Sequence, residues 1–236
     1  MRHLAALLLV LALPVRAADD GKVAYKFTPD FYSTTNEHSA YDLNLRGNLG
    51  PHAAWVGYYR RGEEFYQFRV GYEGTFKMPF GTLIPSAVLA THGFAGASVN
   101  ALIGERYFGL VGLSRTNLAE YFNLNFDPNE SVTLGAGTRA IPDTTLLLFQ
   151  VKDNRLDTGQ RVTHFIARTG DHDKGFRWTV DAFYKSGRET PDAEPVHGTG
   201  LAVTCDYHQY FARVANDPHV NFTANRMLRV AVGLRF

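Results

Sequence analysis

The segment Leu228-Arg229-Val230-Ala231-Val232-Gly233-Leu234-Arg235-Phe236 separates into two sets when every second residue is taken. Leu228, Val230, Val232, Leu234 and Phe236 are all apolar, whereas Arg229, Ala231, Gly233 and Arg235 are two arginines and two small residues. Successive side chains of a β-strand point to opposite sides of the sheet, so this period of two marks a strand with one apolar and one polar face.

The same division recurs upstream. Tyr41, Leu43, Leu45, Gly47 and Leu49 alternate with Asp42, Asn44, Arg46 and Asn48. Tyr66, Phe68, Val70 and Tyr72 alternate with Gln67, Arg69, Gly71 and Glu73, and Phe176, Trp178, Val180, Ala182 and Tyr184 with Arg177, Thr179, Asp181, Phe183 and Lys185. In 145–152, Leu146, Leu148, Gln150 and Lys152 are taken as the inner, half-polar face, against Thr145, Leu147, Phe149 and Val151. Turn signals separate the runs at Gly50-Pro51, 61–63, Gly104-Glu105, 127–130, 154–159 and 170–175, and 187–198 has the composition of a long loop. No linker or low-complexity stretch divides the chain, so one domain of consecutive hairpins is expected.

The first residues differ in kind. Arg2 and His3 precede an apolar run, Leu4 to Leu13, and a small-residue exit at Val15-Arg16-Ala17. That order describes a secretory signal peptide over 1–17, cut near Ala17 or Ala18. The run is too short for a membrane helix, which needs about 20 apolar residues. For 18–37 a tail, a plug and a first strand are all open, and the β-domain is expected over 38–236. A formal net charge of +1 gives no electrostatic case for nucleic acid. The single cysteine, Cys205, cannot form an internal disulfide and is read as a small packed residue.

Alternating strands suit either a sandwich with its apolar faces buried or a membrane barrel with its apolar face to lipid. Three features favour the barrel. Aromatics sit near strand ends at Tyr41, Tyr58, Tyr59, Tyr66, Tyr72, Phe108 and Tyr184, as in interfacial belts. Small residues occupy faces where a sandwich needs bulk, as in Ala95, Ala97, Val99 and Ala101, and glycines fall inside strands at Gly71, Gly109, Gly112, Gly135 and Gly137. The last strand, ending on Phe236, resembles the C-terminal signature of Gram-negative outer-membrane β-barrel proteins, over about ten residues.

The expected fold is therefore all-β: a single closed antiparallel up-and-down transmembrane β-barrel of about 12 strands, within 10–14. Up to about fourteen runs can be counted, of which Tyr121–Phe126 and His208–Val214 are short. The resemblance implies location in the outer membrane, contact with its lipid and lipopolysaccharide, and delivery by periplasmic chaperones to a barrel assembly machinery that reads Phe236 as an insertion signal.

The lumen-facing set is then Asp42, Asn44, Arg46, Arg69, Glu73, Arg177, Asp181, Lys185, Arg229 and Arg235. Its mixed signs predict pairing across the lumen and argue against strong ion selectivity. Charge at outward Val232 should be costly, and charge at inward Ala231 tolerated.

Catalytic constellations are weak. Outer-membrane phospholipases and lipid A deacylases place His and Ser two residues apart on a strand, so that nucleophile and base share a face. His38-Ser39 are adjacent, and His92, His164 and His208 lack the partner. Asp171-His172-Asp173 has the composition of a polar turn, so neither metal nor cofactor is expected. The leading expectation is a polar-lumen barrel with a structural role or a passive pore role for small hydrophilic solutes. The alternatives are a barrel-wall lipid or lipopolysaccharide hydrolase using His164 or His92 as base, and a soluble secreted β-sandwich that binds a ligand through its aromatics.

Overall fold

The computed structural model describes residues 22–122, 124, 127–171 and 173–236. The signal-peptide reading of 1–17 lies outside the described residues, as does His172 of the 171–173 turn.

The strands are β1 (Ala24–Thr34), β2 (Ala40–Leu49), β3 (His52–Arg61), β4 (Phe65–Gly74), β5 (Phe76–Met78), β6 (Gly81–Ala90), β7 (Phe94–Gly104) and β8 (Tyr107–Thr116). They continue as β9 (Ser131–Thr138), β10 (Thr144–Asp153), β11 (Arg161–Gly170), β12 (Phe176–Gly187), β13 (Val196–Tyr207), β14 (Tyr210–Asp217) and β15 (Met227–Arg235). Consecutive strands pair antiparallel, β1 pairs with β15, and β4 also pairs with β6, so the sheet closes on itself.

β4 and β5 meet β6 in one continuous register, Glu73 opposite Ser86 and Phe76 opposite Leu83. They are two halves of one stave. The interruption falls where Gly74 would face Pro85, which has no N–H to give the ladder. The barrel therefore has fourteen staves from fifteen strand segments, two more than the central expectation. The difference comes from short β14, which holds most of the doubtful 208–214 run, and from β1, which precedes residue 38. Of the other doubtful run, described Tyr121, Phe122 and Leu124 are not in a strand. β1 lies within 18–37, so the barrel starts at Ala24 and not at residue 38.

An even number of staves brings Tyr25 and Phe236 together, where each backbone N–H donates to the other's carbonyl (2.7 and 3.0 Å). At this terminal side, four of the six connections are the two-residue turns 50–51, 79–80, 105–106 and 208–209. The opposite, loop side carries the long connections 117–130, 154–160, 188–195 and 218–226. Short turns at one mouth and long loops at the other are characteristic of outer-membrane barrels.

The outer surface is apolar around the ring. Exposed residues include Leu45 on β2, Val56 on β3, Val70 on β4, Val99 on β7, Val111 on β8, Leu148 on β10, Phe165 on β11, Leu201 on β13 and Val232 on β15. Tyr25, Tyr72, Tyr107, Trp178, Tyr207, Tyr210 and Phe236 gather toward the terminal side, and Tyr41, Tyr58, Tyr66 and Tyr184 toward the loop side. These two belts match the headgroup levels of a bilayer. A soluble sandwich is excluded, since its apolar faces would be buried.

Three inner-surface expectations are corrected. Tyr59 and Phe108 belong to the interior, at 1% and 4% exposure, and not to the aromatic belts. On β10 the inward face is Leu147, Phe149, Val151 and Asp153, while Leu146, Leu148, Gln150 and Lys152 face out. The polar tips mislead there: Gln150 bonds Thr163 on the outer face near the loop-side rim, where polar groups reach water. The interior is thus not uniformly polar, because Ile84, Leu102, Phe108, Leu110, Leu147, Phe149 and Val151 form an apolar cluster inside β6–β10.

Candidate functional site

The interior is built by alternation and filled by cross-strand reach. Five aromatics lie over glycines directly opposite them: Trp55 over Gly71, Phe108 over Gly137, Phe149 over Gly135, Phe183 over Gly200 and Phe211 over Gly233. A Cβ at any of these glycines would stand 2.0–2.4 Å from the ring or its Cβ. The glycines give the large side chains room to lie flat against the wall, an arrangement that also protects the glycine backbone.

All ten residues of the lumen-facing set lie on the inward faces of their strands. Their pairing runs along the wall. Arg69 on β4 crosses Gly57 of β3 and places Nη2 at 2.7 and 2.6 Å from the Asp42 carboxylate oxygens on β2. Lys185 on β12 passes Gly198 of β13 and donates to Asp217 on β14 at 2.7 Å. Arg46 donates to Glu73 at 2.7 Å, with its guanidinium 5.4 Å from the Trp55 ring. Arg229 donates to Asp30 at 2.6 Å, and Arg177 and Arg235 share Asp206. Asn44 is half-buried beside them. Asp30, Asp206 and Asp217 were not singled out from sequence, nor were Lys26, Arg168 and Arg213. Period two along β1, β11, β13 and β14 was the available signal.

The 117–130 connection turns into the barrel. Leu124, 1% exposed, packs among Tyr32, Tyr59, Val162, Phe183, Ala215 and Met227, which come from six different staves. Tyr121 stacks on Phe94 at 4.2 Å, Phe122 stacks on Tyr59 at 4.7 Å, and the Leu124 carbonyl accepts from Arg229 at 3.4 Å. Val220 and Phe222 of the 218–226 loop join the same cluster. The loop-side half of the interior is thus occupied by two loops.

His164 fixes the inserted loop. Its Nδ1 meets Asp181 at 2.9 Å, its Nε2 meets Asp127 of the loop at 2.8 Å, and its ring stacks on Phe149 at 4.7 Å. A general base needs a ring nitrogen directed at substrate. Here both nitrogens hold carboxylates, inside the barrel and away from the lipid wall. His92 lies in the 91–93 turn with φ of 68°, beside the Tyr66 ring.

The most enclosed charges lie within the loop-side half, where Arg69 and Lys185 side chains are 0% exposed. Toward the mouths charged side chains regain exposure: Arg177 and Arg235 keep 24% and 26% at the terminal side, and Arg61 and Arg155 keep 23% and 40% at the loop side. Arg139, in the β9–β10 turn at the terminal mouth, lays its guanidinium 4.2 Å from the Phe108 ring. Desolvation there lowers its pKa from the ordinary arginine value, and it stays charged.

No family model matches the chain, and no curated protein matches it. Among solved structures, the chain is similar to the outer membrane protein Omp33 of Acinetobacter baumannii, with a TM-score of 0.60 at 10% identity over 92% of this chain and 99% of that one. A mutant porin of Rh. blastica aligns at TM-score 0.48 and 10% identity, over 91% of this chain and 100% of its own. OmpF of Salmonella typhi aligns at 0.45 and 9%, over 91% and 97%. The likeness to Omp33 establishes a shared barrel fold.

Proposed function

We propose that this chain is an outer-membrane channel of restricted bore that passes small hydrophilic solutes by diffusion. The observation that carries the reading is a closed barrel whose outside is apolar and belted by aromatics, while its inside is lined by charges that regain solvent toward the mouths. Lipid and lipopolysaccharide would contact the outer surface, with the terminal side toward the periplasm and the long loops outside the cell. Delivery would run through periplasmic chaperones and the barrel assembly machinery, with the strand ending at Phe236 as the recognised segment. Asp42, Asn44, Arg46, Arg69, Glu73, Arg177, Asp181, Lys185, Arg229 and Arg235 would line or brace the passage. The inserted 117–130 loop sets its narrowest part.

The test is conductance of the refolded chain in planar lipid bilayers, after a boiling-dependent gel shift has shown that it is folded. Small discrete steps are expected, rising several-fold when residues 118–126 are replaced by a short Gly/Ser linker. Folded protein that conducts in neither form would exclude a pore.

A further inference from the structure

The charges of the interior are segregated by height. On the loop-side half each base has an acid: Arg229 with Asp30, Arg69 with Asp42, Lys185 with Asp217, and Arg155 with Glu130. The terminal-side half differs. Six consecutive staves, β11 to β15 and then β1, place Arg168, Arg177, Asp206, Arg213, Arg235 and Lys26 on one inward arc. Among the described residues of this arc, five bases surround one carboxylate, Asp206, while Asp30 and Asp181 stand at its upper edge: Asp30, across Ala231 from Arg213, is held by Arg229, and Asp181 by His164.

The single acid is already committed. Asp206 accepts from Arg235 at one oxygen and from Arg177, at 3.3 Å, at the other. Arg168 has a hydroxyl for partner, Thr179 Oγ1 at 3.0 Å. Lys26 holds its ammonium 4.2 Å from the centre of the Phe211 ring, and Arg235 lies over that ring at 5.1 Å. Arg213 Nε and Arg235 Nη1 are buried without a hydrogen-bond acceptor.

Like charges held together at a partly wet, low-dielectric wall generate a potential that concentrates anions. Guanidinium forks with unused donors suit the paired oxygens of carboxylate or phosphate. We propose that the terminal-side half of the lumen is an oxyanion-binding vestibule, formed by Lys26, Arg168, Arg177, Arg213 and Arg235 around Asp206. It takes small carboxylate- or phosphate-bearing solutes and makes the channel anion-selective. The proposal rests on the pore reading for its role in transport, while binding itself needs only the folded barrel. It replaces the expectation that mixed signs leave the interior unselective, because signs that balance along the whole barrel do not balance at this level.

Two measurements on the refolded full chain decide it. The first is calorimetric titration with inorganic phosphate in a non-ionic detergent. Saturable binding is expected, weakened about tenfold or more in Lys26→Gln/Arg213→Gln, the order expected for losing charge-assisted contacts. Among the described residues neither makes an ion pair, Lys26 lying over the Phe211 ring and Arg213 Nε lacking an acceptor, and folding of the variant is checked by its gel shift. The second is the reversal potential under a KCl gradient, expected on the chloride side for the wild type and displaced toward zero in the variant. A conducting wild type that is unselective or prefers potassium overturns the proposal, as does absence of phosphate binding. Binding without conductance would leave the vestibule standing and remove the pore.

Discussion

At the scale of single residues, the interior depends on long side chains laid across small ones. Arg69 and Asp42 are fully withdrawn from water, so removing one partner strands the other charge. Asp42→Asn should cost about 3–5 kcal/mol in urea unfolding from detergent micelles, and Asp42→Asn with Arg69→Met should recover most of that loss. An equal loss in the double variant would show that the pair is incidental to stability. Gly71 makes a second case, because a Cβ there would lie 2.2 Å from Trp55 Cζ2. Gly71→Val should cost about 1–3 kcal/mol through overpacking and shift the emission of Trp55, whereas Gly109→Val, with only a backbone oxygen 4.0 Å away, should do neither.

At the scale of the strand, the outer face is the simpler half. Val232 is 55% exposed on β15, and Val232→Arg should cost about 2–4 kcal/mol in folding into vesicles if it lies near mid-bilayer, with Val232→Leu close to neutral. Similar costs for both would place Val232 away from lipid. Ala231 is not the tolerant control that alternation suggests: at 2% exposure, with Arg213 and Asp30 opposite it on either side and Arg229 on the same face, it has no room for a further guanidinium. Outward positions were legible in the sequence because each strand states its own alternation, as in β2, β4, β12 and β15. β10 was inverted because Gln150 and Lys152 are polar at the rim, while the Leu147 and Phe149 that fill the interior resemble lipid-facing residues. The pairs Arg69–Asp42 and Lys185–Asp217 skip a strand, so they depend on two registers across three strands and cannot be read from any one segment. The insertion of 117–130 was missed for a related reason, since Tyr121, Phe122 and Leu124 show no local signal for which wall they will meet.

At the scale of the whole molecule, the two tryptophans report on opposite sides of one wall. Trp178 is 46% exposed among the outer aromatics, and Trp55 is 5% exposed inside. In vesicles with brominated acyl chains, Trp55→Phe, which keeps Trp178, should be strongly quenched, and Trp178→Phe, which keeps Trp55, only weakly. The reverse order would turn the barrel inside out. The joint between β1 and β15 has a further consequence, in time and not in strength. Lys26 pairs with Arg235 only when the intervening staves stand in order, so the hydrogen bonds that seal the ring join the two most distant parts of the described chain. Closing so large a loop adds only slowly to the equilibrium cost, but such non-local pairings are slow to form. The seam between the first and last staves is where this protein's folding clock is expected to run slowest.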